Sequence, residues 1–133
     1  MLHPSQFQVN EAWIAFRLND ALIHTELDGD FNCLALMDAA SCYILGNALV
    51  SANEAHPTQM EVRRLLKSGR AREQAFPKTL FVPSELSVNN LVLEAERNRI
   101  AVVRVSEHQL QPFIGEAQEG YRERFGGGAR SEA

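Results

Sequence analysis

The residues best placed to do chemistry in this 133-residue sequence are acids that follow apolar runs. Asp38 comes directly after Phe31–Met37, Glu85 after TLFVP, and Glu107 after IAVVRV. If each run is a strand, these carboxylates stand at strand carboxyl ends. Open α/β sheets form their ligand crevices there, because strand ends and helix N-termini leave backbone groups in need of partners. Glu116 or Glu119, on a later helical segment, can face the same edge. Converging oxygen ligands of this kind suit a hard divalent cation.

Other reactive arrangements are missing. His3, His24, His56 and His108 are scattered without an i, i+4 pair, which argues against a zinc site. There is no G-x-S-x-G elbow and no phosphate-binding glycine loop; the terminal Gly126-Gly127-Gly128 follows a helical segment instead of preceding one. Cys33 and Cys42 have no CxxC spacing and no basic neighbour, so both read as reduced thiols packed as small hydrophobes. Five cations, Arg63, Arg64, Lys67, Arg70 and Arg72, crowd ten positions. Arg63, Arg64 and Lys67 are the candidates for contact with a nucleic-acid backbone. The same segment also reads as a solvated helix face balanced by Glu61 and Glu73.

Composition narrows the classes. A chain with 45% hydrophobic and 23% charged residues is ordinary globular text, long enough to bury about two-thirds of its unfolded surface. Its net charge of −4 excludes a protein that coats nucleic acid through bulk charge. The N-terminus MLHPSQFQVN has neither a charged leader nor an apolar run, which gives a cytoplasmic expectation. Phe31–Ala52 is apolar enough to raise the membrane question, but Asp38 and Asn47 inside it make it core instead of a span. Residues 1–125 are expected to form one α/β domain and 126–133 a flexible tail.

The elements that must position the acids follow from local pattern. Ala12–Leu27 reads as a hairpin broken at Asn19-Asp20, or as one long bent strand. Asp28-Gly29-Asp30 is the clearest turn, and strands follow over Phe31–Met37 and Tyr43–Val50. Thr58 and Glu61 form a capping box opening a helix that Ser68-Gly69 should stop or bend. Thr79–Val82 is a strand. Ser84 or Ser87 should cap a helix with Val88, Leu91, Val92 and Ala95 on its apolar stripe, and Ile100–Val105 is a strand again. Strand, helix and strand in that order oblige a parallel pair with a right-handed crossover. Gln111-Pro112 should open the last helix, with Ile114, Ala117, Tyr121 and Phe125 inward. The expected architecture is a mixed sheet of about five strands, antiparallel hairpins followed by a βαβ unit, with helices on its faces. Trp13 and Phe16, if on an open edge, would invite a homodimer that continues the sheet.

This order resembles the ribonuclease-H-like superfamily from about Phe31 to Phe125, and LALMDAASCYILGNALVS, residues 34–51, carries the likeness. It is similar to two groups that disagree. In Holliday-junction resolvases and actin-like ATPases such text is a first strand whose terminal Asp is functional, which implies a metal or phosphate role for Asp38. In retroviral-type integrases and transposases similar text is the second hairpin, and its Asp is a turn residue. The first catalytic acid then lies one strand earlier, where Asp20, Glu26 and Asp28 are available. If function follows the resemblance, Asp38, Glu85 and Glu116 are the catalytic acids, with Asp38 and Glu85 foremost as ligands to Mg or Mn. The sequence departs from the pattern: it has no DxD or DGS signature and no basic residue beside Asp38. The leading expectation is therefore a binding or interaction module with a ribonuclease-H-like core and no cofactor. The alternative is a divalent-metal-dependent nuclease or phosphoryl-transfer enzyme.

Overall fold

The computed structural model describes residues 2–27, 29–54 and 56–126. Six strands form one sheet, with the spatial order β4-β3-β1-β5-β6 across its main body. They are β1 (Ala12–Arg17), β2 (Ile23–Thr25), β3 (Gly29–Asp38), β4 (Ile44–Ser51), β5 (Thr79–Pro83) and β6 (Ala101–Val105). Three helices accompany them: α1 (Gln59–Glu73), α2 (Asn89–Arg97) and α3 (Glu107–Tyr121), the last running into a π-helical turn, Arg122–Gly126.

β1 is the centre of the sheet. It pairs antiparallel with β3 (Trp13 opposite Asp38, Arg17 opposite Leu34) and parallel with β5 (Trp13 opposite Leu80). That position explains its text: Ala12 through Phe16 are fully buried, as expected of a strand covered on both faces. Trp13 and Phe16 therefore do not form an open edge; among the described residues the strands with an unpaired side are β2, β4 and β6. The hairpin reading of 12–27 also fails. β1 and β2 do not pair with each other but lie end to end along one side of β3, which is the bent-strand alternative. The break is held by buried Asn19, whose Oδ1 accepts from the Cys33 amide (2.7 Å) and whose Nδ2 donates to Ala21 O and Asn32 Oδ1. This side chain substitutes for missing ladder bonds. The hairpin instead joins β2 to β3, with Gly29, at φ +87, opening β3 directly after the turn. Asp28 of that turn lies outside the described residues.

β5 and β6 pair parallel, from Thr79 opposite Ala101 to Pro83 opposite Val105, with α2 between them in sequence. The βαβ unit is thus present. Helices α1 and α2 cover one face through Leu65, Leu66, Leu91 and Ala95, and α3 covers the other through Leu110, Phe113 and Ile114.

Local signals set some helix ends and mislead at others. The Thr58–Glu61 capping box forms as the spacing predicts, with Thr58 Oγ1 accepting from Glu61 N and Glu61 Oε1 from Thr58 N. Gly69 neither stops nor bends α1, which continues to Glu73. It is instead where the helix meets the sheet: a Cβ there would lie 2.7 Å from Trp13 Cη2 and 2.9 Å from Leu36 Cδ2. No side chain caps α2, so neither Ser84 nor Ser87 plays that part.

Pro112 lies inside α3 and does not open it. A proline there removes a hydrogen bond and crowds the carbonyl of residue 108. The helix bends. Glu107 and Gln118 would be about 16 Å apart along a straight helix, yet Gln118 Nε2 approaches Glu107 Oε2 to 3.4 Å. On the inward face, Ile114 is buried and Ala117 packs against the same cluster. The side chain of Phe125 and the segment 127–133, the core of the expected tail, lie outside the described residues.

Candidate functional site

The topology sends the candidate acids to different ends of the sheet. Asp38 closes β3, an antiparallel strand, so its carboxyl end lies beside the start of β1, level with Leu80 on β5. Glu85 follows β5 at the opposite end. With two inter-strand steps and the remaining length of β5 between them, their separation is on the order of 15 Å. A shared cation needs ligand oxygens within about 2.6 Å of one point.

Asp38 is also fully engaged. It is 0% exposed, its Oδ1 accepts from the Asn10 amide (2.6 Å), and its Oδ2 accepts from the amide (2.9 Å) and hydroxyl (2.8 Å) of Ser41. Asn10 stands in the left-handed region (φ 65), which asparagine tolerates better than most residues. Its side chain accepts from Trp13 Nε1 (2.7 Å) and donates to Ala75 O. The carboxylate thus ties the chain before β1 to the β3–β4 turn, a structural anchor built from neighbours that the sequence scatters.

Glu85 lies in the β5–α2 connection, and its Oε1 accepts from the Glu107 amide (3.1 Å), capping α3 across the loop where Ser106 makes no side-chain cap. Glu107 is accordingly the first residue of α3. Gln118 bridges from the same region to Arg17 O at the end of β1 (2.9 Å). Glu116 is exposed and lies toward the other end, within electrostatic range of Cys42. Burial, then the nearby Asp38 and Glu116 charges, push the Cys42 thiol up, and burial alone pushes Cys33 up, so neither is an activated thiolate.

The strand that precedes β3 in the core, β1, carries no acid. Of the acids near it, Asp20 is exposed and paired with Arg122 (2.8 Å), whose hydrogen bond holds its carboxyl below the ordinary value. Glu26 is exposed in the β2–β3 turn. Among the described residues no group of three His, Cys, Asp or Glu side chains could hold a metal ion. The described residues therefore do not fit a two-cation centre built on Asp38, Glu85 and Glu116.

The basic residues divide as well. Arg63, Lys67 and Arg70 line a groove between α1 and α2 with Phe76, Glu94 and Asn98, whereas Arg64 is not among its lining residues. Helical geometry separates them: 63, 67 and 70 recur at i, i+4 and i+7, while 64 is turned about 100° from 63. Arg72 lies over the Tyr43 ring instead (5.0 Å). Nothing local sets Arg70 apart as a groove residue, and Glu94, on the polar side of α2, meets Arg63 only through the packing of the two helices.

A central β1, flanked by an antiparallel β3–β4 pair on one side and a parallel β5–β6 pair on the other, defines a ribonuclease-H-like fold. Two solved structures share it. One is a chain of the simian T-cell lymphotropic virus intasome in complex with PP2A regulatory subunit B56 gamma (TM-score 0.58, 9% identity, 92% of this chain covered). The other is the catalytic core domain of BIV integrase (TM-score 0.57, 9% identity, 90% covered). This chain spans 42% of the simian viral chain and 72% of the BIV chain. At such identity the likeness is one of fold. No family model and no curated protein matches the sequence. Asp38 ends the second strand of this core, the position in which the integrase-like text makes it a turn residue. Among the described residues no helix is long and apolar enough to cross a membrane.

Proposed function

We propose that this ribonuclease-H-like chain is a binding or interaction module of the cytoplasm, with residues 1–125 as its folded unit and no metal-dependent hydrolysis of its own. The observation that carries the reading is the state of Asp38: its carboxylate is buried and accepts three protein hydrogen bonds. A metal ligand must instead turn free oxygens to a cation. The free thiols Cys33 and Cys42 suit a reducing compartment. A second copy that continued the sheet would add at β4 or β6, which are longer than β2, the third strand with an unpaired side.

Isothermal titration with Mg²⁺ and Mn²⁺, combined with cleavage assays on single-stranded, duplex and branched DNA, tests the proposal. No binding heat and no cleavage are expected. Metal-dependent cleavage lost in Asp38→Asn, with the fold retained, would replace this reading by the nuclease alternative.

A further inference from the structure

We infer that the groove between α1 and α2 binds the sugar–phosphate backbone of single-stranded nucleic acid; this rests on the binding-module reading and names the partner. The groove, about 280 Å³, is lined on the α1 side by Arg63, Lys67 and Arg70 and on the α2 side by Glu94 and Asn98, with Phe76 also among its lining residues. Along α1 the three cations are spaced by about 6 and 4.5 Å, so they form a row and not a point.

The row is organised from α2. Glu94, whose side chain is only 12% exposed, uses one oxygen to accept from both Arg63 Nε (3.3 Å) and Arg97 Nη1 (3.0 Å). One nearly buried carboxylate thus holds two guanidinium groups of like charge, of which Arg63 lines the groove. It leaves the positive charge in excess. Among the described residues Lys67 has no acidic partner, and the guanidinium of Arg70 lies over the Phe76 ring, 5.3 Å from its centroid. Phe76 is fixed in turn by an edge-to-face contact with Trp13 (6.1 Å). A cationic row in which the Arg70 guanidinium is held over an aromatic ring suits a single strand: charge for the backbone, and a supported guanidinium on which an unstacked base can lie. Planar guanidinium forks match phosphate oxygens in pairs, which favours phosphate over side-chain carboxylates spread along a peptide. The local excess of cations stands out in a chain whose total is −4.

Fluorescence anisotropy of the full chain with labelled oligouridylate and oligothymidylate, read across a salt series, tests the inference. Expected is binding at low salt with a log–log slope near about −2 for three phosphate contacts, reduced by about 0.7 for each neutralised cation. Lys67→Gln and Arg70→Gln each lower the slope, while Arg64→Gln, outside the groove, leaves it unchanged. Lys67 makes no hydrogen bond or ion pair among the described residues, so its variant stays folded even if loss of Arg63 unseats Glu94.

No binding at low salt, or equal losses in Arg64→Gln, overturns the inference. Tighter binding of a duplex or of a glutamate-rich peptide also overturns it and gives the groove to that ligand. The outcomes separate from those of the function proposal. Failure here with no cleavage and no metal heat removes only the nucleic acid, whereas metal-dependent cleavage removes the module reading itself.

Discussion

Replacing Asp38 by alanine should act on stability before anything else. The carboxylate is fully buried and accepts bonds of 2.6, 2.8 and 2.9 Å from Asn10 and Ser41. Ser41 is exposed, so its donors can turn to water after truncation. The Asn10 amide cannot do so as readily. Losing a bond to a charged acceptor and stranding a half-buried donor costs about 2–3 kcal/mol, and the lost turn anchor adds roughly 1 kcal/mol. A total near 3–4 kcal/mol corresponds to a fall in Tm of about 10–15 °C in a domain of this size. The effect also has a spectroscopic reporter. The Asn10 side chain accepts from Trp13 Nε1, and Trp13 is the single tryptophan of the chain. Thermal unfolding followed by circular dichroism and by tryptophan emission should therefore show a lower transition and an altered native spectrum in Asp38→Ala. Asp38→Asn, which keeps one acceptor oxygen, should fall between the variant and the parent. A Tm within about 2 °C of the parent with an unchanged spectrum would refute the anchor role.

The remaining predictions address packing, titration and chain limits. Gly69→Ala should destabilise by about 1–3 kcal/mol, since the new methyl would meet the Trp13 and Leu36 side chains at 2.7–2.9 Å. Gly120→Ala, with no neighbouring atom within 4 Å of its Cβ, should stabilise α3 by roughly 0.5–1 kcal/mol, both read from denaturant midpoints. Burial raises the Cys33 thiol above its ordinary value, so the folded state holds its proton more tightly than the unfolded chain. That contribution is complete below the unfolded thiol value of about 8.5 and is lost as pH rises through the folded one. The denaturant midpoint should accordingly drop between neutral and strongly alkaline pH, and less so in Cys33→Ala. Truncation after Gly126 should leave the Tm unchanged and unfolding cooperative, as a single folded unit ending before the glycines requires; a split transition would contradict it.

What could be read along the chain were features whose causes are local. The Thr58–Glu61 box needs only four residues, and the stripe Val88, Leu91, Val92, Ala95 needs one helix. The order of strand, helix and strand from Thr79 to Val105 obliges a parallel pair wherever the rest of the chain goes. These settled the fold class. Signals with two physical meanings mislead. Gly69 is a close approach of helix to sheet and not a stop, because its partner is Trp13, more than fifty positions away. Pro112 bends a helix that begins earlier because Glu85, from another loop, caps it. Strand apolarity alone could not decide whether 12–27 folded on itself or ran along β3; the pairing of Arg17 with Leu34 did.

The chemistry depended on tertiary structure most of all. Sequence by itself determined which acids follow strands and which cations share a helix. Only the assembled sheet decided that β3 runs against β1, so that Asp38 and Glu85 leave the sheet at opposite ends. Only the α1–α2 packing brought Glu94 to Arg63. A carboxylate's role is set by what its oxygens face, and for Asp38 that includes an amide 28 positions away, a contact no local pattern encodes.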